Sequence, residues 1–291
     1  MAYTYHVGGW IGNLGNHLLQ ISHALFLAER YKGICTFAEE PFIENTVFDF
    51  SSGAPTQEIL WENFWEPNVR FSLDQRDYAD DLHRERPRIL KTFILPLLKP
   101  YKKIELGYDL VINIRGGDAF DDYSYPPYVQ APYSYFNAIM EKEQPSNVLV
   151  VAQDERNPAV GLLAKSSIVT ISSKENPETD ANMVLNAETL VIGGVSTWHH
   201  TLAQMSPNLK KVYYPEFGDG WVLAPDELWR KDHWYREGNL LGDVTAEVVK
   251  VYFKDYVKIG QWDRYPTQKK CDFVTNHPKD KISFYGNFAN K

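Results

Sequence analysis

The chain has 291 residues, 44% hydrophobic and 23% charged, enough apolar sequence for a core in one large or two medium domains, which excludes bulk disorder. Its 30 basic and 38 acidic residues give a net charge of −8, and there is no Lys/Arg block, which argues against a nucleic-acid partner or an anionic-membrane surface. Any anion is expected to be held locally. Cys35 and Cys271 lie far apart and outside any Cys-x-x-Cys or Cys/His spacing, so neither a disulfide scaffold nor a structural zinc is expected. With no basic and apolar leader at its start, and no run near the ~20 apolar residues of a membrane span, the chain reads as cytoplasmic. The 18 Tyr, 15 Phe and 8 Trp often sit among polar neighbours, as in YSYPPYVQAPYSYF; such rings suit stacking on sugars, and equally an ordinary cleft or interface.

In chain order, Tyr3 to Val7 reads as a strand, Gly8 to Gly15 as a Gly/Asn-rich turn, and Leu14, Leu18, Ile21, Leu25 and Ala28 as one face of a helix. Gly33 stops that helix, and Ile34 to Phe37 forms a second strand. From Glu39 to about Lys103 the pattern weakens, with loops and short helices expected and an amphipathic piece near Ile89 to Leu98. Order returns at Leu110 to Ile114, a buried-type strand. Helices are expected at Tyr133 to Glu143, Ala159 to Lys165, Glu178 to Asn186 and Thr197 to Met205. They alternate with strands at Val148 to Ala152, Ile168 to Ile171, Thr189 to Ile192 and Val212 to Tyr214. This alternation predicts an α/β fold with a parallel sheet covered on both faces, and ligands bind at the carboxyl ends of such strands. Asp243 to Ile259 reads as a last long helix, followed by a polar tail from Gly260 to Lys291.

The strand ends carry the chemistry. Leu110 to Ile114 runs into Arg115-Gly116-Gly117-Asp118, a cation beside two glycines that let a ligand approach the backbone. A guanidinium offers a planar fork to two phosphate oxygens; an Arg–Asp pair in a tight turn is the alternative. The next strand ends in Gln153-Asp154-Glu155, where the carboxylate either accepts two N–H donors from a guanine edge or caps the helix that follows. A later strand exits at Gly193-Gly194-Val195-Ser196-Thr197-Trp198-His199, where hydroxyls meet a helix start, an arrangement that suits an anion. The turn Gly12-Asn13-Leu14-Gly15-Asn16 opens a helix in the same way. It lacks the Gly-x-Gly-x-x-Gly and Gly-Lys-Ser/Thr patterns, so ordinary dinucleotide and ATPase assignments lose their key residues. No Asp-x-Asp occurs anywhere, which disfavours a carboxylate-held metal, so no metal site and no cofactor are expected.

Taken together, Gly12-Asn13-Leu14-Gly15-Asn16-His17-Leu18-Leu19-Gln20 resembles the Gly-Gly-Leu-Gly-Asn-Gln-x-x-Gln opening of bacterial α1,2-fucosyltransferases. Asn113-Ile114-Arg115-Gly116-Gly117-Asp118 is similar to their His-x-Arg-Arg-Gly-Asp motif, Gln153-Asp154-Glu155 to a strand ending in Ser-Asp-Asp, and Ser196-Thr197-Trp198-His199 to a Ser-Ser-Phe-Ser turn. The resemblance spans residues 8 to about 215. It implies a metal-independent, inverting glycosyltransferase with a GT-B-like fold: two Rossmann-like domains facing a cleft, with GDP-fucose as donor and a glycan as acceptor. The domains expected are an N-terminal one over 1–105 on the acceptor side, a nucleotide-sugar-binding one over 106–225, and a C-terminal helix and tail over 226–291.

Carried over by position, Arg115 meets the β-phosphate, Asn113 and Asp154 face the base, Ser196 and Thr197 lie at the diphosphate, and His199 is a further nucleotide-sugar-binding residue. Asn13, Gly15 and Asn16 close the nucleotide-sugar site from the other half. Asn113 stands where the family has His, and Gly116 where it has a second Arg, so donor identity is less fixed than architecture. Asp118 is the nearest candidate general base, with Asp121 and Asp122 as alternatives. A related transferase using another donor, such as UDP-xylose, and a non-catalytic nucleotide-sugar- or glycan-binding protein are the rival readings.

Overall fold

A computed structural model describes residues 2–10, 12–54, 56–61, 79–172, 176–218 and 241–285, with the backbone alone for 56–61, 79 and 80. The predicted tail over 226–291 thus lies partly outside the described residues. The protein is mixed α/β, and its described residues form a four-stranded and a seven-stranded sheet.

The first sheet holds β1 (Ala2–Val7), β2 (Ile34–Phe37), β3 (Phe48–Asp49) and β4 (Thr56–Trp61) in the order β3-β2-β1-β4. β2 and β4 run parallel to β1, and β3 pairs antiparallel to β2. Helix α1 (Leu14–Arg30) crosses between β1 and β2, buried at nearly every position from Leu18 to Ala28, as befits a helix packed on all sides rather than along one stripe. Lys32 ends it in a left-handed conformation (φ 52°), with the Gly33 amide donating to the Ala28 carbonyl at 2.7 Å. Gly33 is required one residue later than a simple stop, because a Cβ there would drive into the Tyr3 carbonyl.

The second sheet follows the predicted alternation to within a few residues. Its strands are β5 (Leu110–Ile114), β6 (Val148–Ala152), β7 (Val169–Ser172), β8 (Thr189–Ile192), β9 (Lys211–Glu216), β10 (Glu247–Phe253) and β11 (Ile282–Tyr285). The order is β11-β10-β9-β8-β5-β6-β7, parallel throughout except for β11. The remaining helices are α2 (Ala79–Ile89), α3 (Tyr133–Glu143), α4 (Pro158–Leu163), α5 (Pro177–Leu185), α6 (Thr197–Met205) and α7 (Thr267–Asn276). Among the described residues no helix is long and apolar enough to cross a membrane.

Two differences from the sequence reading stand out. The helix expected over Asp243 to Ile259 is instead β10, with Val249, Val251 and Phe253 buried on one face. β-branched residues at period two fit a pleated strand, and β9 offers the free edge that the local pattern cannot reveal. β4, in the weakly patterned stretch, pairs with β1 over six residues, from Ala2 opposite Thr56 to Val7 opposite Trp61.

Strand alternation sorts the core. Leu110, Ile112 and Ile114 of β5 join a cluster with residues of α3, α4, β10 and α7, while Val111 faces a second cluster with α1, α5 and α6. That second cluster runs continuously from β1 and α1 to the face of the larger sheet.

Candidate functional site

The side of β5 that carries Val111 also carries Asn113, which is 2% exposed and has no partner for its Oδ1. Such an orphaned buried acceptor is uncommon and calls for a ligand or water. Two residues on, Arg115 leaves the strand end. Its Nη2 donates to Asp118 Oδ1 at 2.8 Å, its Nη1 reaches Ser196 Oγ at 3.5 Å, and its Nε is buried without a partner. The guanidinium carbon lies 3.7 Å from the centroid of the Tyr128 ring, which supports the cation electrostatically.

The Arg115 carbonyl accepts from Asn157 Nδ2 at 3.0 Å, and Asn157 caps α4 through the Ala159 amide at 3.0 Å. Asp154 therefore is not the cap of α4. Its Oδ2 accepts the Gly117 amide at 2.8 Å and its Oδ1 the Arg156 amide at 2.9 Å, tying the β5 and β6 exits together. This accounts for Gly116, because a Cβ there would collide with the Asp154 carboxylate. Asp118, more than half exposed, is held by Arg115. Of its alternatives, Asp121 pairs with Arg156, and Asp122 accepts both the backbone amide and the hydroxyl of Thr267, which holds its carboxyl below the usual range.

The third component is the start of α6. Ser196, 3% exposed, is its N-cap but makes no side-chain cap bond. Thr197 Oγ1 donates to Asn16 Oδ1 at 2.5 Å, joining the first turn of α1 to that of α6. Gly15 lies against the same turn so closely that a Cβ would stand 2.6 Å from the Trp198 nitrogen. Two helix starts thus abut beside Arg115, and each presents amide donors that its own helix cannot satisfy. Asn13 caps α1 with its backbone, its carbonyl accepting the Asn16 and His17 amides while its side chain stays exposed.

His199 is 3% exposed, with Nδ1 unpartnered. Burial above all, then the neighbouring His200 and Arg115, pushes it well below the usual histidine range, so it is neutral. His200, bonded through Nδ1 to the Ser196 carbonyl, is pushed down to about 4 by burial.

The structure therefore brings Gly15, Asn16, Arg115, Asp118, Ser196, Thr197 and His199 into one connected region, with Asn113 beneath Arg115 on the same strand. Sequence reasoning missed several supports. Tyr128 lies in a segment that pairs with the β8 exit, Ala131 N to Gly193 O and Val195 N to Val129 O both at 2.9 Å. Gln130, fully buried, leaves Oε1 unpartnered. His17 bridges the Gly12 carbonyl at 2.8 Å and Glu40 at 3.1 Å, beneath Trp10. The aromatic run around Tyr128 was the one visible signal; a stack on a residue thirteen positions earlier has none.

A planar cation over an aromatic ring, two helix starts and neutral buried acceptors suit a polyoxygenated anion that also carries hydroxyl or N–H donors. Among the described residues, no group of three or more His, Cys, Asp or Glu is placed to hold a metal ion. No protein-family model matches this chain, and no curated protein matches it.

Proposed function

We propose that the chain is an inverting glycosyltransferase that takes a sugar from a nucleoside-diphosphate donor to a glycan hydroxyl, with GDP-fucose as the donor. The observation that carries this reading is Arg115, seated over the Tyr128 ring at the exit of a central parallel strand, beside the start of α6. In the reaction the bond between the anomeric carbon and the diphosphate oxygen breaks and its electron pair stays on the diphosphate. The acceptor oxygen bonds to the opposite face of that carbon and gives up its proton. Arg115, Ser196 and the α6 amides meet the charge that develops on the leaving group, where preorganised donors matter most. Asp118, beside Arg115, is the group assigned to take the acceptor proton.

In this reading the two sheets correspond to the halves of a GT-B-like arrangement, 1–105 on the acceptor side and 106–225 on the donor side, the latter extended by β10 and β11 from beyond residue 225. Asn13, Gly15 and Asn16 close the donor site across the α1–α6 contact. Each Asp154 oxygen has a second lone pair beyond its backbone donor, and these two accept the parallel N–H donors of guanine. Asn113 Oδ1 and His199 Nδ1 are further acceptors for donor hydroxyls or base N–H groups. The free thiols Cys35 and Cys271 accord with a reducing, cytoplasmic location.

Calorimetry of GDP and UDP against the wild type and Asp154→Asn tests the assignment. Selective GDP binding that the substitution weakens is expected. A preference for UDP moves the donor to another nucleotide sugar, and binding of neither nucleotide sinks the reading.

A further inference from the structure

The site's cation is aimed by a loop, residues 117–131, that lies between β5 and α3. Its inward residues Ala119 and Phe120 are buried, whereas Tyr123 is 97% exposed. A segment of this kind holds a ring against a guanidinium only if something outside it fixes its path.

The β8 exit holds its last residues, 129–131, and the C-terminal residues fix the rest. Trp262 Nε1 donates to the Ala119 carbonyl at 2.6 Å, Thr267 Oγ1 to the Phe120 carbonyl at 2.5 Å, and the Tyr256 hydroxyl to the Gln130 carbonyl at 2.8 Å. At the centre is Lys270 of α7, fully buried, whose Nζ donates to Ser124 Oγ at 2.6 Å and to the Asp121 carbonyl. The Trp262 ring stands 5.8 Å from that nitrogen. Burying an ammonium is costly unless its donors are matched, so a lysine here specifies one geometry of the turn that an apolar residue would not.

From Ser124 the path to Arg115 is short. Tyr125 follows directly, its carbonyl accepting the Tyr128 amide at 3.0 Å and its ring meeting the Tyr128 ring edge-on at 5.2 Å. Tyr128 then lies against Arg115. We propose that Lys270 is a positioning residue for Arg115, acting through Ser124 and Tyr128, so that the C-terminal α7 sets the orientation of the site's cation. This deepens the diphosphate role proposed for Arg115 and rests on it.

Two readouts test the proposal separately from that role. By NMR without ligand, the Arg115 side-chain protons of the wild type are expected upfield, under the shielding of the Tyr128 ring. In Lys270→Gln they move toward their free values, whereas they stay in place in Lys279→Gln, which removes an exposed ion pair between the same C-terminal region and Glu141 of α3. By calorimetry, inorganic pyrophosphate binds Lys270→Gln about tenfold more weakly than wild type. In a Tyr128→Leu background the same substitution costs nothing further, because coupled residues are not additive. Should Lys270→Gln fail to fold, Ser124→Ala carries the same expectations. Unmoved Arg115 signals in a folded variant, or fully additive losses with Tyr128→Leu, overturn the proposal. Arg115 signals that respond to Lys270→Gln in a protein that never binds pyrophosphate keep the positioning and overturn the diphosphate role.

Discussion

The Thr197 hydroxyl donates to Asn16 Oδ1 at 2.5 Å, one hydrogen bond joining helix starts that are 181 residues apart in the chain. It is the contact through which the smaller sheet's helix meets the candidate site. Thr197→Val and Asn16→Ala are each expected to lower stability by about 1 kcal/mol, and the double variant by little more than either, since the bond is lost once. Urea denaturation of the four proteins measures the coupling; strict additivity would show that the two side chains do not interact.

Gly15→Ala should be far more damaging than its size suggests. The new methyl would stand 2.6 Å from the Trp198 nitrogen, and both partners are helix backbone that cannot swing aside. A loss of about 1–3 kcal/mol is expected. Gly161, exposed in α4 with nothing within 4 Å of a Cβ, is the contrast: alanine there should stabilise by about 0.5–1 kcal/mol. Equal melting temperatures for the two variants would contradict the close approach of α1 and α6.

Arg115→Lys keeps the charge but not the planar fork or its fit to the Tyr128 face. Transfer should fall ~100-fold or more while the melting temperature stays near that of wild type. A loss as small as twofold would return Arg115 to the role of a turn residue paired with Asp118.

Transfer should continue in EDTA, because the proposed leaving-group charge is met by Arg115 and helix amides. Activity abolished by the chelator and restored by Mg²⁺ or Mn²⁺ would reveal metal participation and overturn this expectation.

Stability should fall on mild acidification. Burial pushes His83 down to about 3, His200 to about 4 and His199 well below its ordinary value, and half-buried His277 shifts the same way. Below the unfolded value near 6.5 the unfolded chain takes up these protons and the folded chain does not, so stability rises with pH between about 4 and 6.5. Asp180, raised to about 6 by burial, opposes this, since its folded form binds a proton that the unfolded one releases. Buried His199 and His200 with the partly buried His83 outweigh one aspartate, so stability falls from pH 6 to pH 5. Urea midpoints at pH 7, 6 and 5 test it, and a midpoint that rises on acidification would be incompatible with neutral buried imidazoles.

The strands and helices from Leu110 to Tyr214 were legible because each announces itself locally. The apolar runs of β5 and β6 and the Asn-Pro starts of α4 and α5, with Asn157 and Asn176 as caps, do not depend on their neighbours. At the site, the strand-end rule located Arg115, Asp154 and Ser196, and the turn before α1 pointed to Gly15 and Asn16. What the rule could not supply was partners. Tyr128 under Arg115 and Gly116 yielding to the Asp154 carboxylate each depend on chain segments that meet only in the folded molecule.

The same division runs through the whole chain. Its sequence determined the β5-to-β9 alternation and the presence of α1, because period and apolar content are properties of a few adjacent residues. Tertiary structure decided that Glu247–Phe253 is a strand, since its valines suit either state until β9 offers an edge with unpaired amides and carbonyls. It also decided that a polar C-terminal region holds the site's loop: Lys270 looks like any surface lysine in sequence, and only the fold takes it out of water and places Ser124 and the Asp121 carbonyl at its nitrogen.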